Sequence, residues 1–231
     1  MTPIVLVPGL LCSSDVFAAQ ISALWPHGSV VVANTREQQT IPEMASRILE
    51  VAPPRFALCG ISMGGYVALE VMQQMPGRVA KLALLDTTAR PDSPEQTEGR
   101  RALLARARDS GDFVSFAVDA LDHIMIPEHR GIAAIREINR KMAAAVGLEG
   151  FRRQTEAIIV RADARPLLPA ISVPTLVLVG DRDALTPPDH AREMADAISG
   201  STLVVVPECG HASTLEQPDA VNDALLRWIQ G

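Results

Sequence analysis

Six short apolar runs, separated by segments of helical periodicity, leave this chain few architectures. The runs are Ile4–Val7, Val30–Ala33, Phe56–Cys59, Leu82–Leu85, Leu176–Val179 and Leu203–Val206. Their hydrophobicity is continuous rather than alternating, which is the pattern of strands covered on both faces. Amphipathic stretches lie between most of them: Val16–Leu24, Pro42–Val51, Gly64–Met75 and His190–Ile198, with Ala220–Ile229 closing the chain. Thr40 with Glu43 three residues on reads as a capping box that starts the second helix. Strand–helix alternation predicts an α/β fold, a doubly wound and mostly parallel sheet with helices on both faces.

The alternation breaks across residues 89–165. Ser93, Pro94 and Gln96 announce a helix, as N-cap, first helical residue and capping-box partner. Phe113, Phe116, Ala117 and Leu121 then recur at helical spacing, as do Ile132, Ile135, Ile138 and Met142, and Gly147 and Gly150 interrupt before a helix from Phe151 to Val160. A helical insertion between two strands lies over their carboxyl ends, where such folds bind ligands. The expected organisation is a core of residues 1–88 and 166–231 with a helical cap of 89–165.

Composition narrows the partners. The 231 residues are 48% hydrophobic, enough for a sizeable core and too apolar for disorder. A net charge of −6 and 3% aromatics argue against nucleic acid or an anionic membrane as the main partner. No apolar run approaches the roughly 18 residues of a membrane span. Three cysteines without a C-x-x-C, and an amino terminus that enters a strand directly, point to reduced thiols in a cytoplasmic protein.

The sharpest chemical signal is Gly60-Ile61-Ser62-Met63-Gly64, set after a strand and before a helix. That is the context of a G-x-S-x-G nucleophile elbow, whose glycines permit a turn tight enough to expose a strained serine. A glycine-rich helix start that binds phosphate is the plainer alternative, and the strand–turn–helix setting favours the nucleophile.

A serine hydroxyl needs a base. Of the five histidines, His27 sits in a turn, His123 and His129 lie in the insertion, and His190 is at a helix start. His211 follows the last strand by a short loop, which puts it at the carboxyl edge of the sheet with Ser62. A carboxylate should orient the imidazole, and after the preceding strand Asp181 and Asp183 compete; Asp86, ending the strand before the insertion, is an outside candidate.

Taken together, these motifs make nearly the whole chain resemble the α/β-hydrolase family, in the order Ser, Asp, His. The family's G-x-x-D-x-x-x-P pattern falls on Gly180, Asp183 and Pro187, which selects Asp183 and leaves Asp181 to shape the loop or pair with Arg182. The resemblance also implies two backbone oxyanion donors, Met63 after the nucleophile and Leu10 in Pro8-Gly9-Leu10-Leu11, where Leu11 is the competing choice and Pro8 stands for the family's usual histidine. It implies Ser-His-Asp acyl chemistry with no metal or organic cofactor.

The fold does not name the substrate. Relatives with an aspartate nucleophile are set aside by Ser62, and those with an arginine after the elbow by Tyr66. Arginines 100, 101, 106, 108, 152 and 153 read as solvated helical faces. The expectation is hydrolysis of a small-molecule carboxylic ester with a short to medium acyl group, lined by Leu121, Ile124 and Met125. A lactonase or thioesterase on the same triad is the alternative, and a non-catalytic ligand-binding homologue is the alternative of a different class. Cys12, Cys59 and Cys209 each adjoin one of these motifs; Cys59 should be inert, while Cys12 and Cys209, on loops, are expected to be reachable by thiol reagents.

Overall fold

The computed structural model describes residues 1–231. Its strands are β1 (Ile4–Val7), β2 (Val30–Val32), β3 (Phe56–Ile61), β4 (Val79–Leu85), β5 (Thr175–Gly180) and β6 (Thr202–Val206). All pair in parallel, in the order β2-β1-β3-β4-β5-β6. The chain therefore starts near one edge, winds outward to β2, returns past β1 and proceeds to the other edge. The crevice at such a reversal is where parallel sheets bind ligands.

The side-chain period of two divides each central strand between two cores. Val5, Val7, Leu58, Leu82, Leu84, Val177 and Val179 face a layer built by α2 (Ile41–Val51), α3 (Met63–Gln74) and α7 (Pro188–Ala197). Ile4, Leu6, Cys59, Ala83, Leu85, Leu176 and Leu178 face the opposite layer, which includes α1 (Ala18–Leu24) and α9 (Pro218–Gln230). The four central strands are nearly sealed on both sides, so their sequences are apolar apart from Lys81 of β4 and Thr175 of β5. β2 and β6 are not sealed: as edge strands they leave Val31 and Val205 exposed. Their apolar sequences alone did not reveal the edge position.

Between β4 and β5 the chain leaves the sheet for α4 (Pro94–Asp109), α5 (Phe113–His123) and α6 (Ala133–Ile159). Ser93 caps α4 in a complete capping box with Gln96, as its sequence predicts. The box at Thr40 is only half formed: Thr40 accepts from the Glu43 N–H, but the Glu43 carboxylate takes the N–H of Gln39. α6 is two helical segments that meet at Gly147, whose φ of 66° and ψ of 169° are non-helical and suit a residue without a Cβ, so the interruption falls where the sequence predicts it. Phe151, Val146 and Met142 of α6 and Leu121 of α5 join the core layer under β1 and β3. The insertion is thus packed onto the sheet rather than tethered beside it. A short α8 (Ser213–Glu216) precedes α9, and no helix is long and apolar enough to cross a membrane.

Candidate active site

β3 delivers Ser62 at its carboxyl end in a conformation that serine seldom adopts, φ 53° and ψ −118°. Such strain costs on the order of 1–3 kcal/mol and persists only where surroundings enforce it. Here the Ser62 N–H donates to the Leu85 carbonyl, and the Ser62 carbonyl accepts from the Gly65 N–H and the Thr87 hydroxyl. The turn closes because Gly60 and Gly64 lack side chains. A Cβ on Gly60 would collide with the Gly64 carbonyl, and one on Gly64 with the Val7 carbonyl of the neighbouring strand.

The Ser62 Oγ lies 2.8 Å from His211 Nε2, and His211 Nδ1 lies 2.8 Å from Asp183 Oδ2. Asp183 is anchored in turn: Oδ1 accepts the N–H groups of Leu185 and Thr186 at 2.8 and 3.0 Å, and Oδ2 accepts the Thr186 hydroxyl at 2.8 Å. An Nδ1–H tautomer donating to Asp183 leaves Nε2 free to accept the serine proton. Burial alone would depress the histidine, but the charge and hydrogen bond of Asp183 outweigh it, and His211 stands above its ordinary pKa. Burial likewise works against the Asp183 carboxylate, yet His211 and the Thr186 donors hold it below the usual aspartate value.

The two competing aspartates occupy different places. Asp181 is exposed and accepts the Cys209 N–H at 3.1 Å, shaping the loop as one reading expected; its expected partner Arg182 instead pairs with Glu128 at 2.9 Å. Asp86 is fully buried and accepts the N–H groups of Gly180 and Ser213, linking the end of β5 to the histidine loop. Burial, then the nearby charge of Asp183, raises it to about 7. None of the other four histidines hydrogen-bonds Ser62: His129 is bonded to Glu216, and His123 to the Asp119 carbonyl.

Around Ser62 two backbone N–H groups have no protein acceptor to satisfy them. Met63 opens α3, where the first N–H groups have no intrahelical partner. The Leu10 N–H makes no backbone or side-chain bond, whereas the Leu11 N–H is taken by Gln154 Oε1 at 3.1 Å. Gln154, buried on α6, also donates to Thr35 and so ties the first loop to the insertion. Nothing in the sequence around Gln154 signals this role; its partners lie 119 and 143 positions away.

A cavity of about 320 Å³ opens over Ser62 and His211, lined in part by Leu121, Ile124, Tyr66 and Arg100. Met125 does not reach it. The chain turns at the end of α5, and Met125 is buried with Ile135 and Ala212 in a small separate cluster. Arg100, expected on a solvated face, lines the cavity because Asp92 draws its guanidinium inward. A larger groove of about 560 Å³ lies beyond Tyr66, Thr88 and Arg161, and Ser62 takes no part in it.

The expected reach of the loop cysteines does not hold. Cys12, Cys59 and Cys209 are all buried free thiols. Burial pushes Cys12 up to about 12 and raises the other two further. The loops fold back onto the sheet, so a loop position in sequence is not a surface position in space. Cys12 does stand beside Ser62 and His211 in the wall of a minor cavity.

Residues 4–224 match the profile of the alpha/beta hydrolase family. Among solved structures, the chain is similar to a thermophilic esterase from Thermogutta terrifontis, at 32% identity and TM-score 0.86 over 100% of this chain and 90% of that one. It is similar also to the enol-lactonase from Burkholderia xenovorans LB400, at 28% identity and TM-score 0.88, covering 100% and 92% of the two chains. By sequence, the pimeloyl-acyl-carrier-protein methyl ester esterase of Nitrosospira multiformis is 29% identical over 201 residues, 81% of this chain and 73% of that protein. An elbow serine, a histidine loop after β6 and a six-strand parallel sheet agree with the profile match, and the chain belongs to the alpha/beta hydrolase family.

Proposed function

We propose that the protein is a serine hydrolase that cleaves carboxylic esters of short to medium acyl groups through an acyl-enzyme. The observation that carries this reading is the continuous chain Ser62 Oγ–His211 Nε2–Asp183, at 2.8 and 2.8 Å, at the floor of a largely aliphatic cavity. Ser62 attacks the ester carbonyl carbon while His211 Nε2 takes the hydroxyl proton, and Asp183 holds the imidazole in the tautomer that can do so. The oxyanion of the tetrahedral intermediate is received by the N–H groups of Leu10 and Met63. On collapse the ester C–O bond breaks and His211 returns its proton to the leaving alcohol. Water then repeats the sequence on the acyl-enzyme, releasing the acid and restoring Ser62. Residues 89–165 act as the cap that shapes the acyl pocket, through Leu121 and Ile124.

A lactone offers the same carbonyl with acyl and alcohol joined, and the likeness to an enol-lactonase supports testing that class beside open-chain esters. A role as a ligand-binding homologue without catalysis is disfavoured by the intact histidine bridge between Ser62 and Asp183.

The test is labelling with a fluorophosphonate, followed by rates on p-nitrophenyl esters of increasing chain length, lactones and thioesters. Labelling at Ser62 and lost in Ser62→Ala, with kcat lowered about 10⁶-fold, is the expected result. A folded protein that neither labels nor cleaves any of these substrates would remove the reading.

A further inference from the structure

We propose that the cavity over Ser62 is built for an acyl group whose far end carries a carboxylate, with Arg100 as the residue that selects it. The proposal rests on the ester-hydrolase reading of Ser62 and adds the chemical class of its substrate.

The charge arrangement around Asp92 is the basis. Its side chain is only 1% exposed, and each oxygen meets a different guanidinium: Oδ2 accepts from Arg100 Nε at 2.7 Å and Oδ1 from Arg161 Nη1 at 2.5 Å. Arg161 is nearly spent, with four of its five N–H donors bonded. Its Nε and Nη2 donate to the Arg90 carbonyl, Nη1 also reaches the Ile158 carbonyl, and the group lies 4.2 Å from the centroid of the Tyr66 ring. Arg100 is not spent. Its side chain is 25% exposed, it lines the same cavity as Ser62 and His211, and neither terminal nitrogen meets a protein acceptor. One carboxylate between two guanidiniums leaves one positive charge over, and four of the five unused donors belong to Arg100.

Gln96 stands one turn earlier on α4, on the same helix face and at the mouth of the cavity. Its Oε1 accepts the Ser93 N–H in the capping box, which fixes the amide with its Nε2 donor unused. The two terminal NH₂ groups of Arg100 and the Gln96 amide NH₂ therefore border a mainly apolar space that includes Leu103, Leu121 and Ile124. A purely alkyl acyl chain would place methylenes against these donors. A terminal carboxylate satisfies them, and the planar guanidinium suits its two oxygens.

The experiment compares monomethyl adipate with dimethyl adipate, which differ at the far end by a carboxylate in place of a methyl ester. Wild-type protein should favour the monoester by about tenfold or more in kcat/KM, the size of a charge-assisted hydrogen bond. Arg100→Gln should erase the ratio, and Arg100→Lys, which keeps the charge without the fork, should retain part of it. Calorimetric binding of adipate against hexanoate gives a readout that needs no turnover, with the adipate advantage lost in Arg100→Gln. Equal rates on the two esters, or a ratio that survives Arg100→Gln, would overturn the carboxylate subsite while leaving the hydrolase standing. If neither ester is cleaved and no fluorophosphonate label appears, the hydrolase reading fails, and the adipate-over-hexanoate difference decides the subsite alone.

Discussion

The backbone N–H of His211 donates to the carbonyl of Ile124 at 3.0 Å, a contact between the loop after β6 and the residue that ends α5. The proposed base is therefore hydrogen-bonded to the same segment whose side chain at 124 lines the cavity. Glu216 doubles the connection. Its fully buried carboxylate accepts the N–H groups of Gly210 and Ala212 through one oxygen, and the Ile126 N–H and His129 Nδ1 through the other.

Glu216→Gln replaces one of those acceptor oxygens with an NH₂ group that faces donors. The variant should lose about 1–3 kcal/mol of stability. Loosening of the His211 loop should lower kcat more than it changes KM. Urea denaturation and steady-state kinetics check both; a change confined to KM would mean that Glu216 supports the cavity and not the histidine.

The pH profile should follow His211. Catalysis needs the neutral imidazole, so activity should rise with pH through a midpoint above the usual histidine value and then level off. Asp183→Asn removes the charge that raises His211 and leaves the burial that lowers it. The midpoint of the residual activity should therefore move to lower pH, with kcat down by about 10⁴. An unmoved midpoint would assign the ionisation to another group.

Asp86 should shape the stability profile instead. Its carboxyl is raised to about 7 in the folded protein, by burial and then by Asp183, against about 4 in an unfolded chain. Between those values the folded state holds the proton more tightly, so this group's contribution to stability declines as pH rises from about 4 to about 7. Asp86→Asn should flatten that decline. At low pH, where the wild-type carboxyl is fully protonated, it should also lower stability, because an amide keeps only one acceptor for the N–H groups of Gly180 and Ser213. Urea midpoints at several pH values report both effects.

Neighbouring positions 124 and 125 should respond differently to enlargement. Ile124→Trp should shift preference toward shorter acyl groups, since residue 124 lines the cavity. Met125→Trp should leave chain-length preference alone and destabilise by about 1–3 kcal/mol, as overpacking against Ile135 and Ala212 does. A chain-length series with melting curves separates the two.

Native protein should react with a thiol reagent such as DTNB only at the rate at which it unfolds. All three thiols are buried, and burial keeps each of them protonated at neutral pH. One thiol titrating rapidly under native conditions would contradict this packing.

What the sequence determined by itself is local in the chain. Parallel strands sealed on both faces require continuous apolar runs, and the four central strands appear where those runs occur. The elbow needs two glycines at fixed spacing around one serine, and the capping box of α4 needs Ser93 and Gln96. Tertiary structure decided whatever depends on residues distant in the chain. Asp181 and Asp183 share one loop and one side chain type, and they part only because His211, 28 residues beyond Asp183, approaches its Oδ2. Met125 and Ile124 are adjacent apolar residues whose directions follow from how the insertion docks on the histidine loop. Arg100 left its expected solvated face because Asp92, eight residues back, is held buried by Arg161, just beyond the C-terminal end of α6. Periodicity and turn chemistry report how a segment folds; they carry no information about which buried charge it will meet, because that choice is made by long-range desolvation and hydrogen bonding after the elements have packed.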